Sequence, residues 1–157
     1  MDEIINVINE IIKYGLYPNL EISNKESDLE MNLVSIYFLS FDVKYAFDDS
    51  VYNDFKKSKF PEVNQNVRSN FNEFGWYHEV LDCHKIIEDA NVATGDANDD
   101  LSDIIYDLLE VKWRKENNSI DDALWYFNLI FRSHTRPHIL GLLKFILDKE
   151  KWSKNYV

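Results

Sequence analysis

"GDANDDLSDIIYDLLEVKW", residues 95–113, decides the fold, because its apolar residues recur at intervals of three and four. Projected at about 100° per residue, Leu101, Ile104, Ile105 and Leu108 share one face. This spacing predicts a helix over about 98–115 with that face in the core. The same stretch places six carboxylates within fifteen residues: Asp96, Asp99, Asp100, Asp103, Asp107 and Glu110.

The projection puts these carboxylates opposite the apolar stripe and leaves two interpretations open. In the first interpretation they form a solvated face, and the helix dipole stabilises the acids of the first turn. Alternatively they form part of a binding site, because like charges four residues apart repel and few lysines on this helix relieve them. Asp100 and Asp107 lie nearest the apolar edge, where a neighbouring helix would supply a partner.

The best such partner is the segment HTRPH, residues 134–138. A helix predicted over about 120–135 places His134 with the core residues Phe127 and Phe131, and His138 would share that face if the helix continued. Two imidazoles on one face chelate a metal, and Asp100 or Asp103 would complete a nitrogen and oxygen set suited to zinc or iron. The alternative is that Pro137 breaks or kinks the chain, leaving His134 bonded to one carboxylate or carbonyl.

The other segments are also mostly helical in pattern. Isoleucines at positions 4, 5, 8, 11 and 12 predict a first helix closed by Gly15 as its C′ residue. The second predicted helix, about 27–47, is apolar over so much of its circumference that a central position is expected, with a buried face widened by Val34, Phe38, Phe41 and Tyr45. Pro61 starts a third, about 61–73. Pro137 starts a last one to about Lys151, with five apolar residues buried: Ile139, Leu140, Leu143, Ile146 and Leu147. Ser119 with Asp122 three residues on predicts a capped start for helix 120–135.

Residues 76–97 are the least regular part, and no hairpin signal accompanies their β-branched and aromatic residues, so a structured crossover is expected. The predicted fold class is all-α, a single irregular bundle of five or six helices, with residues 1–157 forming a single helical domain. The length of 157 residues, 45% of them hydrophobic, suits one domain with a real core.

The amino-acid composition indicates where in the cell the protein is located. No apolar run approaches the roughly 20 residues of a membrane span, and the start MDEIINVINE lacks a basic signal region. Cys83 is the single cysteine, which fits a reducing compartment. We therefore expect a cytoplasmic protein with no membrane association.

Charge is unevenly distributed over the chain. The net charge is −11, with 8 basic and 23 acidic side chains in residues 1–110 and 9 basic and 5 acidic in residues 111–157. A surface this acidic repels phosphate backbones, so no nucleic-acid partner is expected. The basic end is better suited to docking on the acidic body.

Known catalytic motifs are missing from the sequence. It contains no GxSxG, no Walker or dinucleotide glycine pattern, no HExxH and no ExxH pair. No organic cofactor is therefore expected, and a divalent metal is the one cofactor that the candidate residues would accommodate.

Three segments taken in order, WYHEVLDCHK, DDLSDIIYDLL and ALWYFNLIFRSHTRPHILGLLKFIL, resemble a bacterial family classed as a domain of unknown function, number 5063. The resemblance covers about residues 76–147. The sequence departs from the family pattern at His78, Thr135 and Arg136. The resemblance implies an all-helical fold and no particular activity, and position by position it extends to Asp99, Asp100, Leu101, Asp103, Ile104, Asp107, His134 and His138.

DDLSDIIYDLL also resembles the second metal-binding helix of all-α nucleotide pyrophosphohydrolases. In that likeness Asp100 and Asp103 would hold magnesium. The preceding Glu-x-x-Glu helix of those enzymes has its nearest counterpart in Glu26 and Glu30, at a different interval.

Two functions follow as predictions. The first is a small cytoplasmic protein-binding or accessory module acting through an unidentified protein partner, because helical packing surfaces are present and no complete catalytic motif is. The alternative is a metal-dependent hydrolase. Its candidate functional cluster is Asp99, Asp100, Asp103, Asp107, His134 and His138, with Asp100, Asp103, His134 and His138 as metal ligands.

Overall fold

A computed structural model describes residues 2–47, 50–86 and 91–154, with side chains described to residue 151. This part of the chain forms an all-α bundle, as predicted, with one small sheet. The two strands are β1 (Trp76–Val80) and β2 (Val92–Asp96). The helices are α1 (Asp2–Leu16), α2 (Lys25–Leu39), α3 (Val63–Asn70), α4 (Ala97–Asn117), α5 (Ile120–Ile130) and α6 (Arg136–Lys154).

Helix α4 is the centre of the bundle and contacts α1, α3, α5 and α6. Its predicted core residues Leu101, Ile104, Ile105 and Leu108 are all fully buried. The Asp96 side chain caps the helix by accepting a hydrogen bond from the Asn98 backbone N–H at 2.9 Å. The long apolar stripe of α4 therefore organises the remaining helices around it.

The predicted role of Gly15 is wrong. Helix α1 continues to Leu16, and no glycine in the described residues has a positive φ. Gly15 is instead buried at a close crossing, where an added Cβ would lie 2.8 Å from Ile105 Cγ2 and 3.1 Å from Val63 Cγ1. The missing side chain lets α1 approach α4 and α3.

Gly15→Ala is expected to lower the free energy of unfolding by about 1 kcal/mol. Overpacking costs about 1–3 kcal/mol, and the better helix propensity of alanine returns up to about 1 kcal/mol. Gly75→Ala is the matched control, because nothing lies within 4 Å of its added Cβ. Urea unfolding of both variants checks this, and equal stabilities would contradict the close-crossing role.

Helix α2 is not central, contrary to the prediction from its composition. It ends at Leu39 and buries only Leu29, Leu33 and Ile36. Four apolar residues expected to widen its buried face are 50–70% exposed, because α4 occupies the core and α2 packs from outside: Val34, Phe38, Phe41 and Tyr45. Leu140 and Leu147 of α6, also predicted to be buried, are 48% and 45% exposed.

Residues 76–80 and 92–96 form an antiparallel pair of strands where a crossover without a hairpin was expected. Trp76 pairs with Asp96, and Tyr77 with Gly95. The connecting residues 81–91 carry none of the short turn motifs that identify hairpins, so sequence pattern did not predict the pairing. The sheet is anchored to the bundle where the Ala97 N–H donates to the Gly75 carbonyl at 3.0 Å.

The capped start of α5 is confirmed, since Ser119 Oγ accepts a hydrogen bond from the Asp122 N–H at 2.9 Å. Across the described ranges no helix is both long enough and apolar enough to span a membrane.

Candidate metal centre

The predicted break at Pro137 does not occur, although the last helix begins close to it, at Arg136. Helix α5 passes through one π-helical turn, Phe131–Thr135, directly into α6, and the Arg136 N–H donates to the carbonyl of Phe131 five residues back. Pro137 is then the second residue of α6, where its missing N–H is tolerated. The wider turn keeps His134 and His138 on the same side of this helical segment, with ring centroids 4.7 Å apart.

Each of the two histidines is held through Nδ1 by a carboxylate of α4. His134 Nδ1 lies 2.8 Å from Asp107 Oδ2, and His138 Nδ1 lies 2.8 Å from Asp100 Oδ1. An ionised carboxylate only accepts, so Nδ1 carries the proton and the Nε2 of a neutral ring presents a lone pair. The two Nε2 atoms lie 3.4 Å apart. Two lone pairs therefore point into one small space.

Asp103 completes a three-residue group around that space. Its Oδ2 lies 4.0 Å from His138 Nε2. One ligand atom from each of Asp103, His134 and His138 lies within 4.8 Å of the other two. The side chains of these residues are 38%, 44% and 26% exposed. Solvent therefore reaches the group from one side, and a ligand could do so too.

Behind His134, Asp107 is only 8% exposed. Its Oδ2 also accepts a hydrogen bond from Thr135 Oγ1 at 2.7 Å, and Thr135 is fully buried. Burial raises the pKa of Asp107 above its ordinary value, against the opposing hydrogen bonds from His134 and Thr135. Two donors on one oxygen fix the orientation of this carboxylate.

Behind His138, Asp100 is held in a similar way by a residue of the sheet. The Tyr77 hydroxyl donates to Asp100 Oδ2 at 2.6 Å, while Oδ1 receives His138. Burial, with the neighbouring carboxylate, raises the pKa of Tyr77, and the hydrogen bond to Asp100 raises the pKa of His138. Such outer partners orient metal-binding histidines and increase their basicity.

Tyr77 reaches Asp100 through a slot between two glycines. An added Cβ at Gly95 would lie 2.5 Å from Tyr77 Cζ, and one at Gly141 would overlap the Tyr77 hydroxyl oxygen. The absence of side chains at both positions therefore admits the ring. Sequence reasoning missed Tyr77 and Thr135, since the strand pairing and the π-helical turn that position them have no local signature.

Tyr77→Phe is expected to lower the free energy of unfolding by about 1.5–2 kcal/mol, the lower part of the range for a hydrogen bond to a charged group, because the site is only partly buried. Tyr17→Phe serves as the control, because Tyr17 is 59% exposed. Denaturant unfolding of the two variants measures the difference. If both match the wild type, the hydroxyl does not hold Asp100 in solution.

The six carboxylates of residues 96–110 therefore have several roles. The solvated-face interpretation is wrong for Asp100 and Asp107, which are each 8% exposed, because α6 covers this side of α4. It holds for Asp99, whose side chain is 58% exposed and pairs with Arg68 at 3.3 Å away from the histidines. Glu110 pairs with Arg114, which also binds Asp122 and so joins α4 to α5.

Asp100 does not occupy the position of a metal ligand. Both of its oxygens accept hydrogen bonds, from Tyr77 and from His138 Nδ1, on the side of the ring away from Nε2. The structure thus brings together five of the predicted residues: Asp100, Asp103, Asp107, His134 and His138. Asp103 and the two histidines surround the candidate metal position, whereas Asp100 and Asp107 contact the histidines from behind. Asp100 and Asp103 therefore do not form the pair of metal ligands that the likeness to nucleotide pyrophosphohydrolases implies.

Comparison with known proteins bears on the fold. No family profile matches the chain, and no curated protein matches it in sequence. The chain is similar to the crystal structure of protein BF1032 from Bacteroides fragilis, with a TM-score of 0.68 and 15% identity over 94% of this chain and 89% of that chain. At this identity the likeness shows a shared fold.

Proposed function

We propose that this protein is a metal-dependent hydrolase whose single divalent ion is bound by His134, His138 and Asp103. The observation that supports it is the pair of Nε2 atoms 3.4 Å apart, with both Nδ1 atoms engaged by carboxylates. A pair of facing lone pairs requires a cation or a proton between them. The proposed residues offer the nitrogen and oxygen set found in zinc and non-haem iron sites.

The nitrogen separation fits a bound ion. Two nitrogens that bind a tetrahedral ion at about 2.0–2.1 Å lie about 3.3–3.4 Å apart. Asp103 is 4.0 Å from His138 Nε2, and its partly exposed side chain has the freedom to close that distance.

Three protein ligands with one open side are typical of catalytic rather than structural metal sites. A metal at such a site supplies Lewis acidity and an activated water. The buried Asp100 and Asp107 orient the two imidazoles, and the exposed side of the group admits a substrate. These features favour hydrolysis over a purely structural role.

Metal binding is tested by thermal unfolding after EDTA treatment, followed by addition of zinc, manganese, cobalt or magnesium. An ion that binds only the folded protein adds about 2.7 kcal/mol of stability at a hundred times its dissociation constant. We expect this gain with zinc or cobalt in the wild type and its loss in His138→Ala. The matched control is His84→Ala, an exposed histidine outside the group.

The outcomes separate the two parts of the proposal. If no ion stabilises the wild type, or if His138→Ala responds like His84→Ala, the metal centre is wrong. If the ion binds but the loaded protein hydrolyses neither p-nitrophenyl phosphate nor p-nitrophenyl acetate, the hydrolase assignment is wrong. Activity that depends on the ion and disappears in Asp103→Ala would support both.

A second surface favours the protein-binding function. Tyr37 and Phe41 line a small cleft of about 60 Å³ beside the π-helical turn, together with Arg132 and Arg136. Neither arginine forms an ion pair with a carboxylate of the described residues. In a chain of net charge −11, an apolar cleft edged by two such arginines fits an acidic amphipathic segment of a partner protein.

Peptide display on the purified protein tests this surface. We expect enrichment of peptides that combine acidic residues with an aromatic or leucine anchor, and loss of that enrichment in Phe41→Asp. Phe41 is 70% exposed, so this change leaves the core intact. No enrichment, enrichment that persists in Phe41→Asp, or self-association through this face would each contradict the acidic-partner assignment.

A further inference from the structure

We infer that Lys57 is a substrate-binding residue of the proposed metal centre and that the substrate carries a phosphoryl group. This rests on the proposed function. Lys57 Nζ lies 3.7 Å from Asp103 Oδ1, the carboxylate oxygen other than the one nearest His138. A cationic side chain is therefore adjacent to a proposed metal ligand.

Lys57 is held in place by more than this exposed ion pair. Its Nζ lies 3.9 Å from the centroid of the Tyr106 ring, a cation–π geometry. The Tyr106 hydroxyl donates to the Phe60 carbonyl at 3.0 Å, which ties the short 3₁₀ segment Lys57–Lys59 to α4. The lysine is thus positioned beside the centre while 60% of its side chain remains exposed.

Metal binding changes the charge that Lys57 faces. Without an ion, Lys57 neutralises Asp103 in a site that also contains Asp100 and Asp107. With a divalent ion on Asp103 and two neutral imidazoles, the charges of the ion and of Lys57 balance those of the three carboxylates. Because Asp100 and Asp107 are buried behind the histidines, the exposed side of the centre presents the ion and the ammonium group. This combination attracts an anion that bridges the metal and the ammonium group.

The type of anion follows from the need to bridge two separate cationic groups. Lysine acts as a compact point charge and is a common phosphate binder, and a tetrahedral phosphoryl group directs its oxygens to more than one side. In a phosphoryl group one oxygen would contact the metal and another Lys57. The proposed ligand is therefore inorganic phosphate or a phosphomonoester, bound only when the metal is present.

The test uses the cobalt-loaded protein, because cobalt in such a site absorbs visible light and reports ligand exchange. Inorganic phosphate and phenyl phosphate are titrated separately to distinguish the free ion from the ester. We expect both to perturb the cobalt spectrum, and Lys57→Met to weaken their binding about tenfold, the value of one hydrogen bond to a charged group. Cobalt affinity itself should not fall, because Lys57 is not a metal ligand and its charge opposes that of the ion.

Lys59→Met is the matched control, an exposed lysine of the same segment that has no contact with Asp103 among the described residues. If cobalt binds but phosphate has no effect, or if Lys57→Met and Lys59→Met weaken phosphate equally, the role of Lys57 is wrong while the metal centre stands. Binding of phosphate but not phenyl phosphate would overturn the ester as substrate. Failure of cobalt to bind would overturn the proposed function itself.

Discussion

Asp107→Ala is expected to lower the free energy of unfolding by about 2–3 kcal/mol. The substitution removes hydrogen bonds from His134 Nδ1 and Thr135 Oγ1, both to the same buried oxygen. Each such bond to a charged group is worth about 1.5–3 kcal/mol, and removing a buried charge offsets part of the loss. Thr135 Oγ1 would retain only a 3.4 Å contact with the Ile130 carbonyl. Urea unfolding of the metal-free protein measures the effect.

Asp107→Asn is the matched control, because an amide oxygen in the Oδ2 position accepts both hydrogen bonds. We expect it to retain most of the stability that Asp107→Ala loses. A loss of equal size in both variants would show that the carboxylate charge matters more than the two hydrogen bonds. No loss in either would contradict the role of Asp107 in holding the π-helical turn.

The same pair of variants also tests the orientation of His134. Loss of an outer partner typically weakens metal binding about 10–100-fold. We expect this decrease in Asp107→Ala and a smaller one in Asp107→Asn, whose neutral oxygen polarises the ring less. Isothermal titration with zinc measures both, and unchanged affinity in Asp107→Ala would show that His134 needs no carboxylate to bind.

The sequence predicted the parts of the structure that depend on a regular period. The core face of α4 and the burial of Phe127 and Phe131 follow from a projection at one fixed angle per residue, whereas His134, projected onto the same face, is 44% exposed. The start of α5 at Ser119 follows from local side-chain chemistry. These features need no knowledge of distant contacts.

The predictions that failed concern features that depend on irregular backbone geometry or on tertiary contacts. A π-helical turn adds a residue to one turn, so a fixed projection does not show how His138 stays beside His134 across Pro137. The position of Tyr77 depends on a strand pairing whose connection lacks turn motifs. The burial of Asp100 and Asp107 depends on α6 covering their side of α4, which no property of α4 alone reveals.

Phe127→Ala is expected to lower the free energy of unfolding by about 3–5 kcal/mol, the usual cost of removing a buried aromatic ring. Phe127 is 1% exposed, and its ring lies 5.2 Å from that of Phe131, which is the first residue of the π-helical turn. Leu129→Ala on the same helix is the control, since Leu129 is 48% exposed. That change should cost about 0.5 kcal/mol or less.

The cavity left by Phe127→Ala also lies beneath the turn that carries His134. If the turn stays rigid, saturating zinc stabilises the variant and the wild type equally. The difference between their free energies of unfolding is then the same with and without zinc. If the turn relaxes into the cavity, zinc stabilises the variant less and the difference grows. We expect growth, because Phe131 loses a packing partner directly beside the histidine turn. A loss no larger than that of Leu129→Ala would contradict the placement of Phe127 in the core.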